Sequence, residues 1–131
     1  MARVTTVLIV EDDKGVRRML RFAMREAGFD VVEAGNGVEA LGLLDTADID
    51  AVVLDLGLPD QAGGLVLKEL RAPAKPRQKE PVWLAVSAVD AREAEIAYGK
   101  MNGRFVSKPY DPWQLIGRLK SMLAQSNSGK R

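Results

Sequence analysis

The sequence contains no cysteine and no histidine. Those absences remove disulfides, thiol nucleophiles, imidazole acid–base catalysis and zinc sites of the usual ligand set. No apolar run approaches the roughly 18 residues that a membrane span needs. Met1-Ala2-Arg3 lacks the small-residue cleavage site of a signal peptide, so the default expectation is a cytoplasmic protein without membrane contact. A charge of one sign is missing as well: 19 basic residues face 18 acidic ones, for a formal net charge of +1. That balance gives no support to a nucleic-acid binder acting over its whole surface. Whatever chemistry the chain performs must use carboxylates, lysine, serine or backbone.

What is present is an ordinary globular composition, 47% hydrophobic and 28% charged, in 131 residues. This length fits one domain with a real core and leaves no room for a second of ordinary size. The stretch Ala51-Val52-Val53-Leu54-Asp55-Leu56-Gly57-Leu58-Pro59 organises the rest. It is a β-branched apolar run that stops on a carboxylate and enters turn residues at once, which predicts a buried strand with Asp55 at its carboxyl end.

The chain in order repeats that grammar. Val4 to Val10 is an apolar strand ending on Glu11-Asp12-Asp13, and Val16, Met19, Leu20, Ala23, Met24 and Ala27 follow at helical spacing, capped near Asp13 and stopped by Gly28. Phe29 to Ala34 reads as a second strand, and Gly35-Asn36-Gly37 turns it into a helix carrying Val38, Ala40, Leu41 and Leu44. The third strand spans Ile49 to Asp55, and Leu65, Val66, Leu67 and Leu70 form a third helix that ends before Pro73. Arg71 to Pro81, with Lys75, Arg77, Lys79 and Glu80 and no interleaved aromatics, reads as a solvated connector.

Val82 to Ser87 is a fourth buried strand ending on a hydroxyl, and Asp90 starts a helix containing Ala91, Ala94, Ile96 and Ala97. Phe105-Val106-Ser107 is a short fifth strand that runs into Lys108-Pro109. Asp111-Pro112-Trp113-Gln114 has the residues of a capping box, and Leu115, Ile116, Leu119, Met122 and Leu123 give the last helix its apolar face. Residues 1–125 are therefore taken as one domain, and 126–131 as a polar tail or the start of a linker.

Strands alternating with helices, joined by right-handed crossovers, give an α/β fold: a doubly wound five-stranded parallel sheet with five helices. In the order 2-1-3-4-5, strands one, three, four and five are neighbours. Glu11, Asp12, Asp55, Ser87 and Lys108 then converge on one edge of the sheet, where such folds bind their ligands. Each group alone has a plain reading as cap, turn residue or surface charge; their convergence is what favours a site.

Packed carboxylates resist ionisation unless a cation neutralises them. A hard divalent ion with oxygen ligands does so, with Mg²⁺ preferred because it keeps waters and takes one or two carboxylates plus a phosphate. Lys108 can pair with Asp55 at rest and with a phosphoryl oxygen later, and Ser87 can donate to another. A carboxylate so placed is suited to attack phosphorus and form an aspartyl phosphate.

The runs Val-Leu-Ile-Val-Glu11-Asp12-Asp13, Asp55-Leu-Gly-Leu-Pro59 with Gly63 following, Val86-Ser87-Ala88 and Phe105-Val-Ser-Lys108-Pro109 resemble the receiver domain of bacterial two-component response regulators, from Val7 to Leu123. The resemblance implies the flavodoxin-like fold of the chemotaxis response regulators, with Asp55 as phosphoacceptor. It further implies that Glu11, Asp12, Asp55 and the Gly57 carbonyl bind Mg²⁺ or Mn²⁺, and that Ser87 and Phe105 switch with phosphorylation. Lys108 would contact the phosphate, and the Lys108–Pro109 bond would be cis.

The implied partner is a histidine kinase or histidine phosphotransfer protein, with an unspecified downstream effector and no nucleic-acid binding by this domain. Phosphorylation would change the surface of the fourth helix, fifth strand and fifth helix, where Trp113 and Tyr98 are expected; dimerisation through the last helices stays open. Such a protein is a switch that takes part in its own phosphorylation and dephosphorylation, not an enzyme acting on other substrates. The alternative is a receiver-like module that binds partners without phosphorylation. Met101, where the family commonly has glycine, points to an atypical output face. A small Gly57 leaves water free to reach the phosphoryl group.

Overall fold

In the computed structural model, which describes residues 3–58, 63–77 and 79–128, strand and helix alternate throughout. The elements are β1 (Thr6–Val10), α1 (Lys14–Glu26), β2 (Asp30–Ala34), α2 (Gly37–Thr46), β3 (Ala51–Asp55), α3 (Gly63–Arg71), β4 (Val82–Ser87), α4 (Ala91–Tyr98), β5 (Phe105–Ser107) and α5 (Pro112–Ser128). All strand pairs are parallel, and the sheet order is β2-β1-β3-β4-β5 as expected. The order reverses between β1 and β3, which opens a crevice at their carboxyl ends. Pro59 and residues 129–131 of the expected tail lie outside the described residues.

Side-chain alternation along the strands sorts the interior into two cores. Val7 and Ile9 of β1, Ala51 and Val53 of β3, and Leu84 and Val86 of β4 pack against Leu20, Ala23 and Met24 of α1 and Leu115, Ile116 and Leu119 of α5. Leu8, Val10, Val52, Leu54, Trp83 and Ala85 face the other way, onto Ala40 and Leu44 of α2, Val66, Leu67 and Leu70 of α3, and Ala94 of α4. Leu54 is fully buried, so truncating it to alanine costs about 3 kcal/mol.

Local signals start and stop the helices as the sequence predicts. Asp13 accepts from Val16 N at 3.0 Å, Asn36 from Glu39 N at 2.9 Å and Asp90 from Glu93 N at 2.9 Å. Gly28 follows α1 with φ of 95°, a conformation that glycine adopts without strain. At α5 the Asp111 carboxylate closes on Trp113 N at 2.8 Å, one residue earlier than a capping box uses. The helix also continues to Ser128, beyond the expected boundary at 125.

In α4 only Ala94 is buried, while Ile96 is 78% exposed, because residues two apart lie on different sides of a helix. Half-buried Tyr98 at the end of α4 and buried Met101 beyond it pack in the α2–α3–α4 core. One expectation needs correction: the connector before β4 is more than a solvated loop. Arg77 donates to Glu69 at 2.8 Å, to Glu80 at 3.1 Å and to the Leu44 carbonyl at 3.1 Å, and Lys79 pairs with buried Asp50.

Candidate functional site

The two-face sorting of the strands positions the site. Glu11 continues the Val7, Ile9 series by one more step, its N–H bonded to Ala34 O at 3.0 Å, and Asp55 continues Ala51 and Val53. Both carboxylates therefore emerge above the α1–α5 core, on adjacent strands, and both residues are buried. Asp12 is exposed beside them. Carboxylate oxygens of Glu11, Asp12 and Asp55 lie within 4.8 Å of one another. Asp13 is turned to helix capping and takes no part.

Asp55 is aimed from two sides. Its Oδ1 accepts from Gly57 N at 2.9 Å, and its Oδ2 accepts from Lys108 Nζ at 3.1 Å. The same ammonium is 3.9 Å from Glu11 Oε2. One lysine thus faces two buried acids, with Asp12 beside them, and the imbalance shows in the protonation of Glu11 and Asp55. Burial, followed by the hydrogen bond and charge of Asp55, pushes Glu11 up to about 8. For Asp55, burial acts upward, but hydrogen bonds from Glu11, the Gly57 N–H and Lys108 outweigh it and hold the carboxyl below its ordinary value. The pair is a buried acid cluster short of positive charge.

That donor set fits a hard divalent cation. Every side-chain donor is oxygen, three can meet at one point, and the cluster lacks the charge such an ion would bring. An added side chain at Gly57 would meet Asp55 Oδ1 at 3.4 Å, an ordinary contact, so the glycine leaves the mouth of the site open.

The remaining predicted residues line the adjoining rim. Ser87 ends β4 one residue past the Val86 that pairs with Asp55, and its buried hydroxyl accepts from Val89 N at 3.3 Å. Phe105 pairs with Ala85 in register and is half-buried against the α2–α3–α4 core, so Ser87 and Phe105 share the face opposite to Glu11 and Asp55. Lys108 N bonds to Ser87 O at 2.8 Å, and the Lys108–Pro109 peptide is cis. Trp113 is 54% exposed on α5, and Trp83 is core.

Other residues support the site: Arg17, which was not among the expected site residues, Tyr98, expected on the output surface, and Gly63, part of the run after Asp55. Arg17 donates to the Glu11 carbonyl at 2.8 Å and to Glu33 at 3.2 Å, tying α1 to the end of β1. Tyr98 donates to Leu56 O at 3.4 Å, linking α4 to the turn after Asp55. At Gly63 a Cβ would come within 3.2 Å of Leu56 O, so a side chain there would be tight against the turn after Asp55. The contacts of Arg17 and Tyr98 have no local sequence signal, because each acts across elements.

A parallel sheet in this order, with acids on β1 and β3, a hydroxyl on β4 and a lysine after β5, defines a receiver-type α/β protein. The family model for the response regulator receiver domain matches residues 7–120, and the chain belongs to that family. It is 38% identical over 124 residues to the sensory transduction protein RegX3 of Mycolicibacterium smegmatis, covering 92% of this chain and 51% of that protein. It is 31% identical to the aerobic respiration control protein ArcA of Escherichia coli, over 92% of this chain and 49% of that one. The chain thus spans about half the length of these curated relatives. Among solved structures, a putative response regulator from Chloroflexus aurantiacus superposes with a TM-score of 0.79 at 34% identity, covering 93% of this chain and 99% of that one. The Francisella response regulator 1452 receiver domain gives 0.76 at 28%, covering 93% and 98%. No helix among the described residues is long and apolar enough to cross a membrane.

Proposed function

We propose that this receiver takes a phosphoryl group onto Asp55 from a phosphohistidine on a histidine kinase or phosphotransfer protein, in a cytoplasmic setting. The observation that carries this reading is the buried Asp55 carboxylate, aimed by the Gly57 N–H and Lys108 at the mouth of an acidic cluster. An Asp55 oxygen forms the new bond to phosphorus as the nitrogen–phosphorus bond breaks, and the imidazole leaves, taking a proton from solvent. Positioning and charge neutralisation supply most of the catalysis in such a transfer.

Glu11, Asp12, Asp55 and the Gly57 carbonyl would hold Mg²⁺ or Mn²⁺, which when bound offsets the charge on the phosphoryl oxygens. Lys108 then exchanges its contact with Asp55 for one with the phosphoryl group. Ser87 leaves its bond from Val89 N–H and donates to another phosphoryl oxygen. Because Phe105 shares the face of Ser87, its ring follows inward, and the surface of α4, β5 and α5 changes for a downstream effector. The protein acts as a switch and turns over no outside substrate.

Intact mass after incubation with acetyl phosphate and Mg²⁺ tests the reading. A phosphate-sized gain in the wild type, lost with EDTA and absent in Asp55→Asn, is expected. Absence of any gain in folded wild type would instead favour a module that binds partners without phosphorylation.

A further inference from the structure

Tyr110 carries the one buried side-chain polar atom among the described residues that has no hydrogen-bond partner. Buried hydroxyls are nearly always paired, so an orphan calls for a physical reason. Its ring packs against the core formed by Val7, Ile9, Val53, Val86 and the inner faces of α1 and α5. This is the same face of the sheet that Glu11 and Asp55 extend by one step each. Lys108, two residues earlier, already reaches both carboxylates, at 3.9 and 3.1 Å. Tyr110 therefore sits in the layer beneath the acidic cluster, entering from the same loop as the lysine. Burial, together with the negative charge of Glu11 and Asp55, raises its phenol to about 12, so the hydroxyl keeps its proton and can only act as a donor or neutral acceptor.

Asp55 has two donors of its own, whereas Glu11 shares a hydrogen bond with Asp55 that needs a proton between them; once both are anions, the distant Lys108 ammonium is the one donor near Glu11 among the described residues. We propose that Tyr110 is a positioning residue of the cation site: its hydroxyl donates to the Glu11 carboxylate, directly or through one water, when that carboxylate binds a divalent cation. The orphan hydroxyl is then a donor whose partner is complete only in the ion-bound state. This inference rests on the reading that the acidic cluster holds such an ion. Groups that donate to a ligating side chain orient it, and losing one typically lowers metal affinity about 10- to 100-fold.

The test is calorimetric titration of metal-free wild type and Tyr110→Phe with Mn²⁺, joined to a thermal melt of each in EDTA. The variant keeps the ring and removes only the oxygen. Mn²⁺ affinity should fall about tenfold, while the metal-free melting temperature should hold or rise, because an unpaired buried hydroxyl has gone. Equal Mn²⁺ affinities would overturn the positioning role and leave the cation site standing. A metal-free melting temperature several degrees lower would also overturn it, since the hydroxyl would then have a structural partner. Wild type that takes up no Mn²⁺ would remove the cation site and the role of Tyr110 together.

Discussion

Strand β3 has a buried aspartate at each end, and the two are opposites. Asp50, just before its first residue, receives Arg3 at 2.9 Å, Thr6 N–H at 2.7 Å and Lys79, so two cations and a backbone donor surround one carboxylate. Asp55, at its last residue, shares one lysine with Glu11 and has Asp12 close by. Burial acts upward on both acids. At Asp50 the bonds from Lys79, Thr6 and Arg3 overcome it and hold the carboxyl below its ordinary value. At Asp55 part of the compensation comes from Glu11, which takes up the strain and is driven upward. The amino edge of the sheet is electrostatically closed, and the carboxyl edge is left incomplete. A site that, on the proposed function, accepts a cation and a phosphoryl group has to give up stability in this way.

The two lysines should separate the edges most sharply. Lys108→Ala removes a cation from the reacting carboxylate and should slow phosphorylation from acetyl phosphate by about 100-fold, near 3 kcal/mol of barrier. Lys79→Ala should leave that rate unchanged. Stopped-flow measurement of the two variants under one set of conditions checks the pair.

Asp50→Ala should cost about 2 kcal/mol in urea unfolding. Its largest part comes from the half-buried Thr6 N–H left without a partner, since Arg3 and Lys79 can turn to solvent. The acid limb should report the same residue. Because its pKa is lower folded than unfolded, Asp50 contributes stability that is present above about 3.8 and lost as pH falls through the lower folded value. Asp50→Asn should therefore flatten the decline of unfolding free energy below that pH. The smallest effect concerns the open mouth of the site. Gly57→Arg should slow loss of phosphate from Asp55 about threefold, under 1 kcal/mol of barrier, by crowding the path of water.

The functional edge was more legible in the sequence than the stabilising one. Glu11, Asp12, Asp55, Ser87 and Lys108 each stand where an apolar strand ends, and strand ends are marked by local pattern. The caps Asp13, Asn36 and Asp90 were readable for the same reason. Asp50 carries no comparable signal, because its partner Arg3 is 47 positions away and Lys79 is 29. Arg77 was read as a solvated charge, although it joins the connector to Glu69 and the end of α2. Side-chain pairs across elements leave no periodicity to detect.

The most direct measurement is the unfolding free energy, without metal, of Asp50→Asn and Asp55→Asn beside the wild type. Asparagine keeps the shape and the backbone acceptor at both positions and removes only the charge. Asp50→Asn should lose about 1 kcal/mol as its ion pairs go, and Asp55→Asn should gain up to about 1 kcal/mol as the upward pressure of the Asp55 charge on Glu11 is relieved. Equal losses at the two ends of β3, or a larger loss at Asp55, would contradict the account.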